Sequence, residues 1–153
     1  MKVVVVNIQS IMAKKTEWLE LFSTIDPDIV IGNETWLHPN ILDNEFTPQG
    51  YKTIRKDRAD GYGGTIILLK NSIISEELET AGADLELCAT KVNMERSHPL
   101  IICSVYRAPN RDITYQEKLC TCLRSISEAN PSAHIWVAGD FNLPDINWNC
   151  DSI

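Results

Sequence analysis

Histidine is scarce in this chain, with three among 153 residues, at positions 38, 98 and 134. None has a partner carboxylate at a motif spacing, so an imidazole general base is not expected among them. No C-x-x-C pair occurs among Cys88, Cys103, Cys120, Cys122 and Cys150. Their odd number and non-secretory context read as reduced, structural thiols with no zinc site. No apolar run approaches the roughly 20 residues that span a bilayer. The opening MKVVVVNIQS turns polar too soon for a secretory signal. A nuclear or cytoplasmic chain, neither secreted nor membrane-bound, is therefore expected. Basic residues are also outnumbered, 14 against 21 acidic, for a net charge of −7. That balance argues against gripping nucleic acid by bulk electrostatics. Repeats, low-complexity tracts and linkers are absent too, and residues 1–153 read as one domain.

What is present is a set of short apolar runs punctuated by two helical patterns. Residues 3–8, 28–32, 65–70, 100–106 and 134–139 read as strands, the first, second, fourth and fifth of them buried. Residues 51–56 resemble an edge strand, residues 73–78 a short partner of the 65–70 strand, and residues 85–92 a half-buried strand. Trp18, Leu19, Leu21, Phe22 and Ile25 recur at helical spacing over 14–25, and Pro27 stops that helix. Tyr115, Leu119, Cys122, Leu123 and Ile126 mark a second helix over 113–129. Strand–helix–strand at both ends, with further strands between, predicts an α/β layered protein.

Four of the strands predicted to be buried end on a polar residue: Asn7, Glu34, Tyr106, and Asp140 with Asn142. Strand carboxyl ends are where α/β sheets place their sites. A carboxylate such as Glu34 suits Mg²⁺, which takes few protein ligands and keeps waters for phosphate oxygens. An Asp beside an Asn can orient a water and donate to a non-bridging oxygen, and Tyr106 can steady a phosphate. Taken singly, each has a plainer use: Asn7 as a turn residue, Glu34 as a cap or ion-pair partner, Tyr106 as a half-buried ring. Arg107 and Asn110 read on the same basis as loop surface. The densest basic stretch, KTIRKDR over 52–58, is either a solvated hairpin or a local phosphate contact.

The ordered set NIQSI, PDIVIGNETWL, GYKTIRKDRADGYGGTIILLK, VYRAPN and VAGDFNLPDINW resembles the endonuclease domain of non-LTR (LINE-type) retrotransposons, within the exonuclease–endonuclease–phosphatase family. The likeness runs from Val3 to about Trp148. It implies a four-layer α/β sandwich, two face-to-face sheets flanked by helices. It implies that Asn7 orients the metal-binding acid, Glu34 holds Mg²⁺ (or Mn²⁺), Tyr106 lies near the scissile phosphate, Asp140 positions or activates water, and Asn142 binds phosphate. Arg58, Arg107 and Asn110 are carried as DNA contacts. The implied reaction nicks one DNA strand and leaves a 3′-hydroxyl that primes a reverse transcriptase. The family completes its site with a Ser-Asp-His motif beyond the GDFN strand. The sandwich is accordingly expected to be incomplete at the C-terminus, residues 1–153 alone to be inactive or nearly so for want of that Asp and His, and the partners to be DNA and a C-terminal half or fused reverse transcriptase domain. The alternatives are a non-catalytic remnant that binds DNA or protein, and a phosphatase of the same superfamily.

Overall fold

The computed structural model describes residues 1–80, 82, 84–95 and 97–143. Eight strands and two helices follow in the order β1 (Val3–Asn7), α1 (Lys15–Ile25), β2 (Ile29–Asn33), β3 (Tyr51–Lys56), β4 (Thr65–Lys70), β5 (Ser75–Leu78), β6 (Leu87–Val92), β7 (Leu100–Tyr106), α2 (Ile113–Ala129) and β8 (His134–Asp140). They form two four-stranded sheets, ordered β1-β2-β4-β3 and β5-β6-β7-β8. The β1–β2 and β7–β8 pairs are parallel and the others antiparallel.

Side-chain alternation along each strand builds the layers. Ile29, Ile31, Ile67 and Leu69 face inward and meet Cys88, Val92, Leu100 and Ile102 of the other sheet. Val30, Ile66 and Leu68 face outward, where Trp18 and Phe22 of α1 cover them. On the far side Leu87, Ala89, Ile101, Cys103 and Val105 pack under Tyr115, Leu119, Cys122 and Ile126 of α2. The result is helix, sheet, sheet, helix: the four-layer sandwich that the resemblance implied. Asp26 closes α1 in the left-handed region at φ +48°, and the Asp112 carboxylate caps α2 by accepting from Tyr115 N at 3.0 Å. Neither helix is long and apolar enough to cross a membrane.

Three strand expectations are corrected. Residues 75–78 do not pair with β4 but cross to the second sheet and join β6. The reason is that β4 already has β2 and β3 on its two edges, so its ladder is full. Residues 87–92 are almost wholly buried and not half-buried, because one face lies between the sheets and the other under α2. Conversely, β1 and β8, read as buried, are the outer strands at one edge of each sheet, and Val5, Trp136 and Val137 are exposed. Cys88, Cys103 and Cys122 are buried and Cys120 is exposed; Cys150, like Trp148, lies outside the described residues.

Candidate active site

The polar strand ends converge. In the β1–β2 register Asn7 lies opposite Asn33, which places Glu34 one residue past the ladder. In β7–β8, Tyr106 lies opposite Asp140. The Asn7 side-chain amide donates to Glu34 Oε1 at 2.7 Å and reaches Asp140 Oδ2 at 3.5 Å. One amide thus bridges two carboxylates that belong to different sheets.

Backbone geometry fixes each member. Ile8 N donates to Asn33 O, Ser10 N to Glu34 O and Ile11 N to Thr35 O, so the chain after β1 straps the segment carrying Glu34. Glu34 itself sits at φ +52°, a left-handed conformation uncommon outside glycine. Such an outlier persists only where its surroundings over-determine it, and it turns the carboxylate away from the path of the strand. Gly139, at φ +141°, lets β8 pass against β7: a Cβ there would lie 1.9 Å from Val105 O. Beyond it, Asn142 folds back at φ +43°, its N–H donating to Asp140 Oδ1 at 3.2 Å and its side-chain amide to Arg107 O at 2.9 Å.

Tyr106 is 7% exposed. Burial, reinforced by the carboxylates of Glu34, Glu86 and Asp140, holds its phenol above the usual tyrosine range. The hydroxyl therefore stays protonated and is available as a donor. Glu34 and Asp140 form an all-oxygen donor set with an amide between them. That fits a hard divalent cation such as Mg²⁺, which one or two carboxylates plus phosphate oxygens hold. The histidine and cysteine that supply most zinc ligands are missing from this donor set among the described residues.

Arg107 is not loop surface. It is buried, with Nη1 donating to Asn142 O at 2.8 Å and Nη2 to Arg111 O at 2.5 Å, so it braces the turn carrying Asp140 and Asn142. Asn110 is exposed on the loop before α2. Arg58 binds Asp60 at 2.8 Å and Glu86 at 3.3 Å. The basic run 52–58 is half-buried, and Arg55 pairs with Asp43 and Asp57 and lies over Phe46. His98 and His134 lie at the far ends of β7 and β8, and His38 Nδ1 accepts from Asn40 N. Among the described residues no histidine is hydrogen-bonded to this site.

Glu86 is a participant that sequence reading missed. It is 3% exposed, accepts from Gly64 N at 2.7 Å, and meets both Arg58 and Arg111. Its own N–H donates to the Tyr115 hydroxyl, and its carbonyl takes the N–H of Tyr106. It therefore ties the loop after β3 to the end of β7. The signal was a glutamate inside the apolar stretch Leu85-Glu86-Leu87, since a charge so placed is buried only when paired. Outside it opens a cleft of about 530 Å³, where Arg55, Lys56, Arg58 and Arg111 face Asp57, Asp84 and Glu86.

No model of a known protein family matches the chain, and neither does any curated protein. Solved structures do. The endonuclease domain of TRAS1, a telomere-specific non-LTR retrotransposon, aligns with 94% of this chain and 61% of its own at 16% identity and TM-score 0.70. The AP endonuclease LMAP from Leishmania major aligns with 93% and 55% at 18% identity and TM-score 0.71. The 3′ phosphatase NExo from Neisseria, bound to product DNA hairpin, aligns with 98% and 61% at 18% identity and TM-score 0.68. The chain thus spans 55–61% of the length of these solved proteins. The fold is shared with these solved structures, an endonuclease domain of a retrotransposon, an AP endonuclease and a 3′ phosphatase.

Proposed function

We propose that the convergence of Asn7, Glu34, Tyr106, Asp140 and Asn142 is the centre of a Mg²⁺-dependent endonuclease that nicks DNA, of the kind that opens a target for reverse transcription. The observation that carries this reading is the Asn7 amide held between the carboxylates of Glu34 and Asp140. Glu34 with Asp140 would hold the cation, Mg²⁺ or Mn²⁺, whose charge offsets that building up on the phosphate. Asn7 orients the Glu34 carboxylate. Asp140 accepts the proton of a water as its oxygen bonds to phosphorus. The Asn142 amide has two N–H groups, of which one holds Arg107 O, leaving one for a non-bridging phosphate oxygen. The protonated Tyr106 hydroxyl donates to a second. As the P–O3′ bond breaks, the leaving oxygen needs a proton to become the 3′-hydroxyl, and the described residues bring no imidazole to give it.

DNA contacts follow from the same geometry. Asn110 is exposed and able to meet a phosphate, and Arg58, paired with Asp60 and Glu86, borders the mixed-charge cleft, whereas Arg107 acts through the turn it braces. A fused or neighbouring reverse transcriptase is the partner whose priming needs such a product.

The experiment is Mn²⁺ and Mg²⁺ titration by calorimetry together with relaxation of supercoiled plasmid, on native, Glu34→Gln and Asp140→Asn chains. One cation bound by the native chain and lost in Glu34→Gln supports the assignment, while equal binding by both overturns it. Nicking by residues 1–153 is expected at or near background, for want of the leaving-group proton, and any residual activity disappears in Asp140→Asn. DNA binding with no nicking under any condition favours the non-catalytic reading.

A further inference from the structure

Beside this polar site two large rings stand in water. Trp36 is 36% and Tyr62 58% exposed, and neither belongs to a hydrophobic cluster of the core. Their centroids are 5.4 Å apart with the ring planes at 71°, an edge-to-face pair.

The pair is built into the fold. Trp36 follows Glu34 by two residues and shares its left-handed backbone, both at φ +52°. Thr35 between them is buried, and Leu37 after them is 1% exposed, so Trp36 is turned out by anchors on either side. Trp36 N donates to Gly63 O at 3.0 Å, which ties it to the residue next to Tyr62. Tyr62 N donates to Asp60 Oδ1, the same oxygen that takes Arg58 Nε, and Arg58 is in turn held by Glu86. The backbone that carries each ring is therefore anchored, with Trp36 two residues after the proposed cation ligand and Tyr62 in the loop that Arg58 and Glu86 hold.

An edge-to-face pair covers at most one ring face, which leaves aromatic surface open. Two rings amid charged loops are far too few for a protein interface, which takes some 20–30 residues a side. They do suit a nucleobase, which stacks on an open ring whatever its sequence while nearby cations hold the backbone. We propose that Trp36 and Tyr62 form a stacking platform for an unstacked base of the DNA strand whose phosphate lies at Glu34 and Asp140, an inference that rests on the nuclease reading. The platform holds the strand against the site by its base, while the carboxylate centre addresses its phosphate.

The test is fluorescence anisotropy with three labelled DNAs: a single strand, a duplex carrying one unpaired base, and a fully paired duplex. Trp36→Ala and Tyr62→Ala each weaken binding of the first two by about tenfold, within the range measured for base–aromatic stacking. Both leave the paired duplex within roughly twofold, and Trp36→Phe keeps most of the affinity because a ring remains. Circular dichroism melts matching the native chain show that the variants fold. Unchanged affinity in both alanine variants overturns the platform, as does equal weakening for paired duplex, or a loss in Trp36→Phe as large as in Trp36→Ala. Failure of the nuclease reading looks different: the platform signature persists, but cation binding is the same with and without Glu34→Gln. A chain that binds none of the three DNAs overturns both.

Discussion

The side-chain amide of Asn33 donates to the carbonyl oxygen of Val105 across the space between the two sheets, at 2.8 Å. One step back on each strand the bond is returned, as Ser104 Oγ donates to Gly32 O at 3.1 Å. The inward face is apolar along most of β2 and β7 and turns polar only at this point. The next residues along the two strands are Glu34 and Tyr106. The reciprocal pair thus locks the sheets together directly under the residues that form the candidate site.

Removing one half of that pair leaves a buried carbonyl short of a partner. Asn33→Ala is expected to destabilise the chain by about 1–3 kcal/mol, and Ser104→Ala by a smaller amount in the same range. Adjacent members of one network do not add independently, so the double variant departs from the sum. Urea unfolding of the four chains measures this. Independent, additive effects would show that the two bonds are not one device.

Gly139→Ala tests the approach of β8 to β7. The position combines φ +141° with a Cβ placed 1.9 Å from backbone oxygen. Neither strain can relax without moving a strand, so the loss is expected to exceed about 3 kcal/mol, at the high end for one substitution. A midpoint within error of the native chain would contradict the register that sets Asp140 opposite Tyr106.

Asn7 holds the Glu34 carboxylate from outside the cation's own ligand set. Asn7→Ala should lower divalent-cation affinity by about 10–100-fold, the usual penalty for losing such an orienting group. Calorimetric titration with Mn²⁺ reads it directly, and unchanged affinity would remove Asn7 from the site.

Burial pushes the thiols of Cys88 and Cys103 up to about 12. Since the thiolate is the reactive form, neither reacts with a disulfide reagent at pH 8 in the folded chain, and Cys122 is likewise shielded. Among the described residues Cys120 is the exposed cysteine, and it reacts ahead of the other three. Peptide mapping after a brief exposure identifies the labelled residue. Labelling of Cys88 faster than global unfolding would contradict the packing between the sheets.

The Lys2 N–H, donating to Asp28 at 2.6 Å, and then Lys70 hold the Asp28 carboxyl below the usual carboxylate range. A depressed folded-state value stabilises the chain above the unfolded value of about 3.9 and loses that stabilisation as pH falls through the lower, folded one. The urea midpoint should therefore decline on acidification below about pH 4, and Asp28→Asn should flatten that part of the curve. An identical acid limb in both chains would show that Asp28 plays no part.

Both helices were legible because their apolar spacing is a local property. The strand-end placement of the candidate-site residues was legible for a related reason: each apolar run ends abruptly on a polar side chain. Other features were not. Residues 75–78 read as a strand without revealing which sheet had a free edge. Arg107 sits in a loop sequence yet is buried, because the 140–142 turn comes back over it. Glu86 gained its role from two arginines, one 28 residues before it and one 25 after.

By itself, then, the sequence determined where strands and helices form, which faces are apolar, and which polar residues stand at strand ends, since periodicity and turn chemistry act over a few neighbours. Only the tertiary structure decided that Asn7 would meet Asp140, 133 positions away. It also decided that Trp36 and Tyr62 would meet edge to face and that β1 and β8 would be outer strands. Those outcomes depend on sheet order and on how two sheets stack, which the complementarity of whole faces settles and no local pattern encodes.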